Sequence, residues 1–168
     1  MTIRTMHNAP TRIVRGFALV EAVVASAIAL VVITGIIGTF SYTYRAAINN
    51  RQSVQAAFLE EEGLEAVRVL RDNGWTTNIA SQTPSATAYL AFTNGEWGLT
   101  TTNTFIDEMF ERKVVFSNVY RDTNKNIVAS GGTLDPNIRL VTVSVSWSSR
   151  GATTTRSLST YLANVFND

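Results

Sequence analysis

Glu21 is the one ionisable side chain in the 24-residue stretch from Phe17 to Phe40, and the Gly16–Phe17 bond marks where that stretch begins. A run of this length crosses a bilayer core as a helix. An unpaired carboxylate inside it costs about 2–3 kcal/mol or more, so its place calls for a counter-charge. A positive group beside it, from the same chain or a neighbouring copy, offsets that cost.

The residues before the run are short, polar and basic. Arg4, Arg12 and Arg15 stand there with no acidic residue and with Pro10, in the manner of the n-region of an export signal. This excess of arginine predicts a cytoplasmic N-terminus, with the remainder crossing. The other residues carry 11 basic against 13 acidic side chains, which gives no basic surface for nucleic acid. Cysteine is absent and His7 is the only histidine. If the basic stretch that holds His7 is removed, zinc sites, Cys–His pairs and Ser–His–Asp triads lose their essential parts, and no cofactor is expected.

The elements that must position Glu21 follow from the pattern. Small residues (Ala22, Ala25, Ser26, Ala29, Gly35, Gly38) recur through the run and allow helices to approach closely in lipid. Helical character continues from Ser41 to Asp72, where Ala47, Val54, Phe58, Glu61, Leu64, Val67 and Leu70 are expected to share one face. Glu65–Arg68 and Arg68–Asp72 have helix-supporting spacings, and Asn73-Gly74 is a stop signal. Trp75–Ala86 reads as a polar connection broken by Pro84. Short strands are expected at Ala88–Phe92, at Trp97–Leu99 after the Asn94-Gly95 turn, and at Arg112–Tyr120. Asn137–Ser148 alternates Val141, Val143, Val145 and Trp147 with Thr142, Ser144 and Ser146, and Thr153–Phe166 returns after Arg150-Gly151. The expected fold class is α+β, a long N-terminal helix packed on a small antiparallel sheet of about four strands. The expected segments are a basic leader (1–16), a transmembrane half-helix (17–40), an extracytoplasmic amphipathic half (41–74) and an extracytoplasmic β-domain (75–168).

Basic leader, Gly16, Phe17, Glu21 at the fifth position after the glycine, and an uninterrupted apolar helix together resemble the type IV pilins and type II secretion pseudopilins. The resemblance covers Gly16 to about Gly74 well and the sheet loosely; Ala18 stands where Thr or Ser is common. It implies that a membrane prepilin peptidase cuts after Gly16 and N-methylates Phe17, and that Glu21 is the assembly glutamate. Methylation retains the ammonium charge while removing an N–H donor. The implied partners are the peptidase, other pilin or pseudopilin subunits, the inner-membrane assembly platform and the membrane itself. The implied location is the inner membrane with the C-terminal domain outside, and then a filament.

Other residues admit narrower readings. Asp122, Asn124 and Asn126 place oxygens at alternate positions, as calcium loops do, but Ile127 stands where glycine is needed and Thr133 where a glutamate closes such loops. They are one candidate metal contact, and a polar turn between strands is the favoured reading. Glu60-Glu61-Glu62 is expected as a solvated helix face or as a contact to arginines of an adjacent subunit. Asp107, Glu108 and Glu111 are the carboxylates that an extracytoplasmic enzyme would use. A single-span anchor carrying a binding module is the alternative to a filament subunit.

Overall fold

The computed structural model of the chain describes residues 15–149 and 151–166, with Arg15 and Gly16 described by their backbone alone. The leader through residue 14, with Arg4, His7 and Arg12, and the expected turn residue Arg150 lie outside them. The chain divides into two compact units, Met1–Ile48 and Asn49–Asp168. One helix, α1 (Arg15–Asp72), passes through both.

In the first unit α1 is apolar and solvent-facing. Every residue from Phe17 to Phe40 is exposed, and the helix is long and apolar enough to cross a membrane. Its hydroxyls are satisfied internally. Ser26 donates to the Val23 carbonyl at 2.9 Å, Thr34 to Leu30 at 2.7 Å and Thr39 to Gly35 at 2.9 Å. Such back-bonding removes the cost of placing a hydroxyl in hydrocarbon.

The second unit is a six-stranded antiparallel sheet with the C-terminal part of α1 on one face. The strands are β1 (Thr87–Thr93), β2 (Glu96–Thr100), β3 (Glu111–Arg121), β4 (Ile127–Val128), β5 (Thr133–Ser149) and β6 (Ala152–Ala163). Their order is β2-β1-β3-β5-β6, and β4 pairs with the end of β3. Asn94 and Gly95 both take positive φ, 56° and 86°, as a two-residue hairpin turn of this hand requires. Val141, Val143, Val145 and Trp147 of β5 are buried, and Thr142, Ser144 and Ser146 lie on the other face, as their alternation predicts. The strand not anticipated is β4, whose two residues are too short to carry a periodic signal. The α+β layout is present as expected.

The buried stripe of α1 differs from the expected one. Leu64, Val67 and Leu70 are buried as anticipated, but Val54 and Phe58 are exposed and Ala56, Leu59, Glu60, Gly63 and Ala66 take their place. The stripe 56-60-63-67-70 keeps the spacing of three and four residues, and it places a glutamate inside and a phenylalanine outside. Periodicity counted by hydrophobicity therefore chose the wrong rotation. Gly63 explains the seat: a Cβ there would lie 2.8 Å from Val143 Cγ1 and 3.2 Å from Arg112 Cδ. Helix and sheet approach at a place with no room for a methyl group.

The connection after the helix is also more than a loop. Thr76–Ala80 forms a single π-helical turn that buries Trp75 and Ile79 against Leu90, Val114 and Phe116. Gly74 leaves the helix with φ 143°, and the Asn78 side-chain amide donates to the Leu70 carbonyl at 2.9 Å. Glu65–Arg68 pairs as expected, whereas Asp72 pairs with Arg71 rather than Arg68.

A Gly63→Ala variant is expected to melt at a lower temperature than the parent in detergent-solubilised full chain followed by circular dichroism. Alanine ordinarily adds about 1 kcal/mol to a helix interior. The overpacking penalty against Val143, about 1–3 kcal/mol, exceeds it here. A raised melting temperature contradicts the close seat.

Candidate functional site

Phe17 and Glu21 lie one turn apart on α1, both exposed, Phe17 at 77%. Gly16 precedes them in the same helix. Among the described residues Glu21 has no ion-pair or hydrogen-bond partner, and Phe17 packs against nothing. The polar atoms nearby have other acceptors, since the hydroxyls of the run are spent on backbone carbonyls. Chemically, the site presents one carboxylate and a chain segment beside it, on a helix face that nothing in this unit covers. Gly35 and Gly38 likewise meet nothing within 4 Å of a hypothetical Cβ, so no contact within the chain explains them.

The Asp122 loop is closed by its own hydrogen bonds. Asp122 Oδ1 accepts from the backbone amides of Asn124 and Asn126, both at 2.8 Å, and Oδ2 accepts from the Asn126 side chain at 3.3 Å. These bonds, the Asn126 backbone amide first among them, hold the Asp122 carboxyl below the usual carboxylate range. The arrangement is that of a polar turn joining β3 to β4, with Asp122 as its hub. Asn124 and Asn126 are its neighbours, Asn124 through its backbone amide.

The three carboxylates considered for catalysis sit around an open groove that Phe105, Met109 and Trp147 also line. Each has a structural partner or exposure to water. Asp107 accepts from the Gln55 amide at 2.9 Å, while Glu111 accepts from Asn103 at 2.8 Å and pairs with Lys113 at 2.8 Å. Asp107 and Glu108 have φ of 50° and 55°, a costly backbone conformation for residues with a Cβ.

Sequence reasoning missed a charged clamp between helix and sheet. Arg112, on β3, is 5% exposed; it donates to the Leu59 carbonyl at 3.3 Å and pairs with Glu62 at 3.3 Å. Its guanidinium lies over the Trp97 ring, 5.3 Å from the centroid. Burial lowers its pKa and Glu62 opposes that shift. Arg156, on β6, reaches Ser53 at 3.1 Å and approaches Glu60 at 3.7 Å. Glu60 is 3% exposed and its Oε1 has no hydrogen-bond partner. Glu60 and Glu62 thus face arginines of their own chain; Glu61 and Glu62 are exposed as expected, and Glu60 alone of the three is buried. The signal available in advance was Gly63, an otherwise poor helix residue at the point of closest approach. Trp147 is buried, tilted against Phe110 with centroids 6.0 Å apart, as a core role predicts.

No family model matches the chain, and no curated protein or solved structure matches it significantly.

Desolvation raises the Glu60 pKa above 4.5, with Arg156 opposing. A carboxyl raised in the folded state binds its proton more tightly there than in the unfolded chain. Its contribution to stability is present below pH 4.5 and is lost as the pH rises through the folded value. Glu60→Gln is therefore expected to melt higher than the parent at pH 7 and to lose that part of the pH dependence. Thermal melts from pH 4 to 8 check this, and an equal or larger decline in the variant contradicts it.

Proposed function

We propose that the chain is a prepilin-like structural subunit, processed at Gly16–Phe17 and assembled through its apolar helix into a type IV pilus or a type II secretion or DNA-uptake pseudopilus. The observation that carries this reading is Glu21: a lone, exposed, unpartnered carboxylate one helical turn after Gly16-Phe17 on a helix with no cover of its own. Such a carboxylate is costly among packed apolar helices unless a counter-charge is supplied. Processing supplies one in each copy, at the amine of Phe17. Copies that pair Glu21 with a neighbour's Phe17 ammonium are held at a single stagger.

The rest of the chain supports the same reading by its division of labour. Residues 17–40 are uniformly apolar outward, which suits lipid before assembly and neighbouring helices afterwards. A helix running on to pack against an antiparallel sheet suits the pilin-like layout. In this reading the leader stays cytoplasmic, the sheet domain lies outside the membrane, and the chain catalyses nothing. Its partners are the prepilin peptidase, other pilin-like subunits and the membrane platform.

Co-expression with a prepilin peptidase is expected to give an intact mass that corresponds to a cut after Gly16 plus one methyl group on Phe17. Substitution of Gly16 should abolish the cut, and an unprocessed parent chain sinks the proposal. Glu21→Ala is expected to be processed normally yet absent from sheared filaments. Its normal incorporation rejects the assembly role and leaves a membrane-anchored binding module.

A further inference from the structure

We propose that Tyr42 and Tyr44, with Arg45, form a collar at the headgroup layer of a phospholipid bilayer, setting the depth of α1 and leaving Glu21 at the opposite edge of the hydrocarbon. This rests on the reading of α1 as a membrane-crossing helix and does not depend on filament assembly.

The apolar run ends abruptly in amphipathic rings. Phe40, Tyr42 and Tyr44 are 72%, 77% and 61% exposed, and the rings of Phe40 and Tyr44 stack with centroids 6.4 Å apart. Neither tyrosine hydroxyl has a hydrogen-bond partner among the described residues, whereas Thr43 between them is bonded to the Thr39 carbonyl at 2.9 Å. The phenols are thus the unspent polar groups at this end, and Arg45 is the next ionisable residue after Glu21. Rings with an apolar body and a free polar tip settle at the membrane–water boundary, and an adjacent arginine favours the same layer.

The second boundary follows from length. Tyr42 lies 21 residues beyond Glu21, about 32 Å along a helix that rises 1.5 Å per residue. The hydrocarbon core is about 30 Å thick. With the phenols among one set of headgroups, Glu21 arrives at the other set. Moving the helix one turn in either direction is opposed: one shift strips Tyr42 and Tyr44 from the boundary and draws Glu21 into hydrocarbon, and the other draws Arg45 in. The carboxylate then touches headgroup water, and Phe17 stands about 6 Å further out, level with lipid phosphates. The midpoint of the span falls at Val31–Val32.

Because the chain has no cysteine, any introduced one is a unique label site. The test places a spin label at Ala22→Cys, Ala27→Cys, Val31→Cys, Ile36→Cys or Ser41→Cys of the full chain in phosphatidylcholine–phosphatidylglycerol vesicles. It compares collisions with oxygen against those with a water-soluble nickel chelate. Oxygen preference is expected to peak at Val31 and to fall on both sides to Ala22 and Ser41. A peak at Ala27 or Ile36 overturns the depth assignment while leaving a crossing helix intact. No oxygen-rich position at all rejects the crossing itself. Adding Tyr42→Leu with Tyr44→Leu lengthens the apolar run and should move the peak toward Ile36; an unmoved peak overturns the collar.

Discussion

The close contact of Gly63 with Val143 is the constraint on which the second unit depends. A helix that approaches a sheet without a side chain between them brings its flanking residues deep enough to bury Ala56, Leu59, Leu64, Val67 and Leu70 together. The same closeness carries Glu60 below the surface and places Arg112 beneath the helix, where the Leu59 carbonyl, Glu62 and the Trp97 ring receive it. Arg112 is thus the consequence of a tight seat as well as part of it. Buried charges of this kind add little net stability, but breaking one partner leaves the other stranded. They make the rotation of the helix specific, since any other rotation leaves Arg112 without its two partners on the helix, the Leu59 carbonyl and Glu62.

That rotation was the part of the fold least visible beforehand. Strands β1, β3, β5 and β6 were legible because alternation on a half-buried sheet is strict, as Val141 to Trp147 shows, and the Asn94-Gly95 hairpin was legible because only such residues tolerate its backbone. The helix limits followed from the absence of proline and from Gly74. The buried face of α1 was misread because its stripe contains Glu60 and Gly63 while a competing stripe contains Phe58 and Val54. Hydrophobicity favours the second and packing the first. The π-helical turn at Thr76–Ala80 had no local signature apart from Trp75 and Ile79, whose burial depends on distant Leu90 and Phe116. At the candidate site the situation reverses. Gly16, Phe17 and Glu21 drew notice through their spacing and the family resemblance it carries, and the fold adds that no group among the described residues answers the carboxylate.

The two units therefore meet opposite requirements. Residues 49–166 satisfy their polar groups and apolar faces largely among themselves, through the sheet, the clamp and the Asp122-centred turn. Residues 17–40 satisfy their serine and threonine hydroxyls within the helix and leave every apolar side chain outward. A surface of that kind is stable only in a medium that matches it, first lipid and then, in the proposed reading, sister helices.

The polar contacts that lock the helix to β5 and β6 join residues far apart in the chain: Asn49 to Ser149 across 100 positions and Ser53 to Arg156 across 103. During synthesis the helix emerges long before its seat exists, because Val143 and Arg156 follow only near the end. Loop closure over such separations is slow relative to helix formation. A nascent chain therefore carries an uncovered stripe from Ala56 to Leu70 for most of its production. Until β5 and β6 are made, the fold itself offers that stripe no cover.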